Sequence, residues 1–287
     1  MEFTKMHGLG NDFIVIDDMT ETIKEELAPE LARAACRRHF GVGGDGLVII
    51  RKSAPADVRM RIFNSDGSEA EMCGNAIRCV ARYMVETKGY SRDEVTVETL
   101  NGSVKRVKVI REGDRTEYQV DMGEPVLTAG LIPVSLEDSP VVGRPIQVDN
   151  RKFQFTAVSM GNPHCVIFVD EIKEKELLAA GELLEKHPLF PRKTNVEFVK
   201  VLNKEKIQVL VYERGVGPTL ACGTGACAAV VAAVLNGLTG RTVTVTLPGG
   251  DLYIWWAGNN HVFMTGPAEK VFSGSFDPGW LAGAVDV

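Results

Sequence analysis

The chain has 287 residues, is 45% hydrophobic and 24% charged, and carries a formal net charge of −6. These values describe an ordinary globular protein large enough for two domains with real cores. The acidic balance argues against nucleic acid and anionic membrane as partners, since both select basic patches.

The first residues, Met1-Glu2-Phe3-Thr4-Lys5-Met6-His7-Gly8, lack the basic-then-apolar pattern of a secretory signal. The longest apolar run, Gly225 to Leu235, is too short to span a bilayer. A cytoplasmic location is expected, where thiols stay reduced, so the six cysteines are not read as a disulfide framework. They do not read as a metal site either. There is no C-x2-C or H-x3-H, and neither Cys73 and Cys79 nor Cys222 and Cys227 share a helical face.

In chain order, Gly10-Asn11-Asp12 leads into a strand, Phe13–Asp17, and a helical stretch covers Glu21–Phe40. Strands follow to Phe63-Asn64. A Cys-Gly turn at Cys73-Gly74 opens a helix expected to run to Lys88 and stop at Gly89. A β-rich tail with glycine turns completes this half. The second half repeats the order at an offset of about 149 residues. Gly161-Asn162-Pro163-His164 leads into Cys165–Asp170, and a helix is expected over Lys173–His187. Glu213 stands nine residues before Cys222, as Asn64 does before Cys73. Asp45-Gly46-Leu47 falls opposite Thr194-Asn195-Val196, and Val95-Thr96-Val97 opposite Val243-Thr244-Val245.

The second Cys-Gly helix, Gly223 to Leu235, has no charge between Ala226 and Leu235. A helix apolar all round must be buried all round. The expected fold is therefore α+β, with two pseudo-symmetric halves, each a curved, barrel-like mixed β-sheet wrapped around a central helix. The halves are placed at residues 1–122 and 123–266, joined near Met122-Gly123-Glu124-Pro125. The tail, residues 267–287, has no counterpart and is a candidate to pack on the first half.

Each cysteine sits where a helix begins. A helix start carries unpaired N–H groups and a partial positive charge. Both thiol pKa values are therefore expected to fall below the ordinary range. The N–H groups at Gly74-Asn75 and Gly223-Thr224 could hold a carboxylate, and glycine after each cysteine lets it approach closely. Two such thiols facing one another across a cleft would suit epimerisation. One removes an α-hydrogen and the other returns a proton to the opposite face. A lone cysteine at a helix start is more often inert; two at repeat-related positions reverse that balance.

The segments Met6–Asp12, Phe63–Gly67, Met72–Asn75, Gly161–His164, Asn195–Phe198, Tyr212–Gly215 and Ala221–Gly225 together resemble the diaminopimelate epimerase family. The resemblance implies interconversion of LL- and meso-diaminopimelate, in lysine and peptidoglycan-precursor synthesis, by a homodimer with no cofactor. It implies that Cys73 and Cys222 are the acid/base pair and that His164 and Glu213 orient the substrate and tune the thiols. By the same resemblance Asn11, Asn64, Asn162, Asn195 and Arg214 hold the substrate's polar groups. Arg214 offers a fork suited to a distal carboxylate. Cys165 should face away from His164, and Cys36, Cys79 and Cys227 read as core. The pattern departs at Gly46, where some members carry glutamine, and in a longer tail from Asp277. Rival readings are a proline or hydroxyproline epimerase, an isomerase using one carboxylate, a thiol redox protein and a non-enzymatic binding module. Asn64, Asn195 and Arg214 disfavour the first, because proline has no distal charged end.

Overall fold

The computed structural model describes residues 1–113, 115–277, 279–280 and 283. Contacts divide the chain into one unit of residues 1–120 and 266–287 and another of residues 121–265. Both have the same α+β plan.

In the first unit β1 (Glu2–Gly8) and β2 (Asn11–Asp17) form a hairpin. A helix, α1 (Ala28–Cys36), connects β2 to β3 (Gly46–Arg51), which lies parallel to β2. Then come β4 (Val58–Asn64), the short β5 (Glu69–Ala70) and the helix α2 (Gly74–Glu86). That helix is the crossover to β6 (Glu94–Glu98), which lies parallel to β4. Next, β7 (Val104–Glu112) and β8 (Arg115–Asp121) continue antiparallel.

The second unit opens with β9 (Arg144–Val148), paired with β10 (Arg151–Ser159). From β10 on, it repeats the first unit's scheme. The hairpin is β10 with β11 (Pro163–Phe168), and α3 (Glu174–Glu185) leads to β12 (Asn195–Asn203), parallel to β11. After β13 (Lys206–Glu213) and β14 (Gly217–Thr219), α4 (Gly223–Leu235) crosses to β15 (Thr242–Leu247), parallel to β13. The strands β16 (Gly250–Trp256) and β17 (Val262–Gly266) finish the series. The last strand, β18 (Glu269–Ser275), returns to the first unit and pairs antiparallel with β1.

The sheets curve because each wraps a central helix. In the first unit α2 touches β1, β2, β4, β6, β7 and β18; in the second α4 touches β10, β11, β12, β13, β15 and β16. Ten of the thirteen residues of α4 are buried, as an uncharged, alanine-rich helix requires. The other helices cover the outer faces. Leu31, Ala32 and Ala35 of α1 pack on Ile14, Ile16, Leu47 and Ile49. Leu177 and Leu184 of α3 pack on Cys165, Ile167, Val196 and Phe198. Strands β3 and β11 are thus covered on both faces and read as near-continuous apolar runs.

Three helices are shorter than the sequence suggests. The stretch Glu21–Phe40 contains a 3-10 turn at Glu25–Leu27 and then α1. Asp18 accepts from the backbone N–H of Thr22 at 2.7 Å and Ile23 at 3.3 Å, which holds the preceding residues in a turn. Pro29 then sits in the first turn of α1, where its missing N–H costs nothing. At the far end Gly43 and Gly44 donate to the carbonyls of Ala35 and Cys36. In α2 the ladder ends at Glu86 because Thr87 and Lys88 both donate to Tyr83 O, and Gly89 turns the chain away at φ 71°. The helix expected over Lys173–His187 is α3, Glu174–Glu185.

Part of the tail is accounted for by packing within the first unit. Phe276 packs at a tilt on Phe3, with centroids 4.7 Å apart, and stacks on Trp280 at 5.1 Å. Positions 278, 281, 282 and 284–287 of the tail lie outside the described residues. Among the described residues no helix is long and apolar enough to cross a membrane.

Candidate active site

Cys73 is the N-cap of α2, with extended backbone (φ −141°, ψ 119°), and its carbonyl accepts the Ile77 N–H at 3.0 Å. The β1–β2 turn brings Asn11 alongside. That turn needs positive φ at both Leu9 (55°) and Gly10 (83°). Asn11 Oδ1 accepts from the Cys73 thiol at 3.8 Å and from Asn75 Nδ2 at 3.0 Å. Asn11 Nδ2 donates to Asp45 Oδ2 at 2.9 Å, and Arg38 braces Asp45 at 3.1 Å. Asn75 is buried, and its Oδ1 accepts from Arg78 at 3.0 Å. Arg78 is itself fully buried in α2 and also donates to Gly74 O and Pro267 O. Cys73, Gly74, Asn75 and Asn11 thus form one cluster.

Asn64 ends β4 opposite Gly46, exposed, and donates to Ser68 Oγ at 2.9 Å. A Cβ at Gly46 would lie 2.8 Å from the Phe63 carbonyl oxygen. Glycine at this position is therefore a packing requirement, since a longer side chain would force the β3–β4 backbone apart.

Cys222 is the N-cap of α4 (φ −121°, ψ 109°). Its sulfur accepts the Gly225 N–H at 3.4 Å and lies 3.5 Å from Thr224 Oγ1. Glu213, at the end of β13, accepts from Thr219 Oγ1 at 2.5 Å. His164 is fully buried on β11, with Nδ1 2.7 Å from Glu197 Oε1 and Nε2 2.9 Å from Asn162 Oδ1. Asn195 is buried; it donates to Pro163 O at 2.9 Å and accepts the Arg214 N–H at 3.0 Å. The Arg214 guanidinium is exposed, 3.4 Å from Arg192 O. The turn carrying Asn162 uses Gly161 at φ 97°, as the Asn11 turn uses Gly10.

The expected fall in thiol pKa is wrong for Cys222. Burial pushes this thiol well above its ordinary value, and the carboxylates of Glu213 and Glu197 push it further; the bonds from Thr224 and Gly225 only partly offset this. Removal from water outweighs the helix-start field. Glu213 is also raised, first by burial and then by Glu197. Its bond from Thr219 and the nearby His164 pull it partly back.

Since the thiolate is the reactive form, iodoacetamide at neutral pH is expected to alkylate half-buried Cys73 well before Cys222, which is 5% exposed. Cys222 labelling should rise only at alkaline pH. Peptide mass spectrometry over a pH series reads the order, and equal labelling rates at neutral pH would refute it.

None of the six cysteines is joined in a disulfide. Burial pushes Cys36 and Cys79 up to about 12, and Cys165 well above its ordinary range. Cys165 belongs to the outer-face core under α3, on the side away from His164. Among the described residues no three His, Cys, Asp or Glu side chains cluster as a metal site.

Sequence reasoning missed Glu197, Thr219 and Asp45, which hold His164, Glu213 and Asn11. Glu197 was in plain view, as an acid in a run otherwise suited to a buried strand.

The diaminopimelate epimerase family model matches residues 3–128 and 156–271. Curated diaminopimelate epimerases from Pelotomaculum thermopropionicum and Desulfitobacterium hafniense are 55% and 56% identical over 276 residues. Each alignment covers 96% of this chain, with 99% and 97% of the relative. An archaeal relative of the same name, from Methanococcus maripaludis, is 50% identical over 279 residues, covering 96% of this chain and all of the relative. Among solved structures, a Bacillus anthracis phenazine biosynthesis protein of the PhzF family aligns with a TM-score of 0.70 at 15% identity, over 96% of this chain and 98% of that one. A hydroxyproline epimerase from Agrobacterium vitis aligns at 0.69 and 16%, over 98% and 94%. These structures share the fold. The family model and the relatives at half identity or more along nearly the whole length establish that this chain belongs to the diaminopimelate epimerase family.

Proposed function

We propose that the protein interconverts LL- and meso-2,6-diaminopimelate by proton transfer between two cysteines, supplying lysine and peptidoglycan-precursor synthesis as a cytoplasmic homodimer. One observation carries the reading: two cysteines, each followed by glycine, cap the central helices of two units with the same strand order.

The α-hydrogen of an amino acid is a very weak acid. In the proposed cycle one thiolate takes it as a proton, leaving the electron pair on the α-carbon. The opposite thiol gives its S–H proton to the other face. The carbon is inverted, one cysteine has gained a proton and the other has lost one, so the total charge of the pair is unchanged. In the substrate-free chain burial and the carboxylates of Glu213 and Glu197 raise the Cys222 thiol, which favours its protonated form.

The developing charge spreads into the substrate carboxylate. The starts of α2 and α4, at Gly74-Asn75 and Gly223-Thr224, supply fixed N–H donors for it. Each such donor is worth about 3 kcal/mol in comparable sites. Glu213 and His164 are suited to hold the substrate ammonium and tune the thiols. Asn11, Asn64, Asn162 and Asn195 combine donor and acceptor in a neutral group, which suits a zwitterionic end. Arg214 suits the distal carboxylate. No cofactor enters this cycle.

A panel of amino acids in heavy water tests the substrate. Deuterium is expected at the α-carbon of diaminopimelate, read by NMR, with none in proline or hydroxyproline. Exchange in proline alone would overturn the assignment.

A further inference from the structure

Glu197 is fully buried in β12, and the proton transfer above gives it no contact with substrate. A carboxylate withdrawn from water is costly unless it is paired. The internal repeat shows that the fold is satisfied without one. In the first unit the parallel pair β2–β3 sets Phe13 opposite Gly46. In the second, β11–β12 sets His164 opposite Asn195. Position for position, His164 stands where the first unit has Phe13, and Glu197 where it has Val48. Phe13 and Val48 are both buried. The second unit has exchanged an apolar pair for an imidazole and a carboxylate.

The exchange is built into the surroundings. Glu197 Oε1 lies 2.7 Å from His164 Nδ1, so this nitrogen must carry the proton. Nε2 faces Asn162 Oδ1 at 2.9 Å. Nδ1 therefore donates to Glu197 whichever group of the Asn162 amide meets Nε2. A Cβ at Gly225 would come within 2.7 Å of Glu197 Oε1 and 3.2 Å of Cys222 Sγ. The glycine thus makes room for the carboxylate against the first turn of α4, beside the sulfur.

We propose that Glu197 is the positioning residue of the Cys222 half of the site: it fixes the Nδ1–H form and orientation of His164, and it sets its carboxylate against the first turn of α4 beside the Cys222 sulfur. The inference rests on the function proposed above. The titratable groups around Glu197 are His164 on β11, Glu213 on β13 and Cys222 at the start of α4, with Cys165 on the opposite face of β11. Its charge adds to the effect of burial in raising Glu213 and Cys222.

The test compares the parent with Glu197→Gln and Glu197→Val. Glutamine keeps an acceptor for Nδ1 and removes the charge. Valine is the residue that the first unit carries at this place. In Glu197→Gln the alkaline limb of kcat/KM, which reports the free enzyme, should move to lower pH by about one unit, because Cys222 loses its proton more readily. In Glu197→Val, kcat/KM for diaminopimelate should fall about a hundredfold in both directions, while circular dichroism stays that of the parent. Nitrogen-15 histidine NMR of the substrate-free protein should show Nδ1 of His164 protonated in the parent and in Glu197→Gln, and a tautomer mixture in Glu197→Val. If the parent epimerises diaminopimelate but neither variant moves the limb or the His164 signal, Glu197 merely fills space and the inference fails. If the parent leaves diaminopimelate untouched, the proposed function fails, while the NMR comparison still decides whether Glu197 sets the state of His164.

Discussion

Cys73→Ala and Cys222→Ala are each expected to lower diaminopimelate epimerisation by about 10²–10⁴-fold, the usual worth of a positioned acid or base. The double variant should lose little more than either single one, because two groups that act in one transfer are not additive. Neither substitution should unfold the chain. Cys73 caps α2 through its backbone, with no side-chain cap bond. Cys222 gives up a weak sulfur acceptor 3.4 Å from the Gly225 N–H and a contact 3.5 Å from Thr224 Oγ1. Serine replacements sharpen the test. Each Cys→Ser variant keeps one thiol, so the α-hydrogen should exchange slowly with solvent at one face without net inversion. Circular dichroism and chiral chromatography of product in heavy water measure both halves of the prediction. Full turnover in both alanine variants would remove the two-base reading altogether.

The largest expected loss of stability belongs to His164→Phe. Both side chains of the His164–Glu197 pair are 0% exposed. Replacing the imidazole alone leaves a carboxylate facing hydrocarbon, a change that costs about 3–5 kcal/mol. That is a large share of a typical domain's total stability, about 5–15 kcal/mol. Glu197→Val alone leaves one imidazole N–H without its acceptor, at about 1–3 kcal/mol. The double substitution installs the Phe and Val that occupy the matching places of the first unit. It should recover most of the loss and approach the parent, so the two costs should be far from additive. Urea unfolding of the four proteins gives the coupling directly. Additive losses within about 0.5 kcal/mol would mean that the pair is not a unit.

What could be read from the sequence followed from periodic, local chemistry. The uncharged stretch from Ala226 to Leu235 forces a buried helix, and the paired glycines at Gly10 and Gly161 mark two equivalent turns. Helix lengths were less legible, because Asp18 and the shared acceptor at Tyr83 act through hydrogen bonds that propensity does not register. The state of Cys222 was misread for a different reason. The helix-start field is a property of the local sequence, whereas withdrawal from water depends on strands that are distant in the chain. Asn195 shows the same limit: its amide pins the backbone of Pro163 and Arg214, a role that only the parallel β11–β12 register creates. Glu197 stands out as an acid in an apolar run, but its burial was not legible, because alternation along β12 cannot reveal that both faces of the strand are covered.

The return of β18 to β1 also has a consequence for how the chain is made. Phe276 N–H reaches Met1 O at 2.9 Å, and Glu2 pairs with Ser275. The second unit is contiguous in sequence, so all of its strands precede residues 269–275 in synthesis. The first cannot complete its sheet until residues 269–275 have been synthesised, so β1 spends most of translation with an open edge. Pairing between strands this far apart in sequence is slow to form. A circularly permuted chain that joins these neighbouring strands through a short linker should shorten that wait and refold faster.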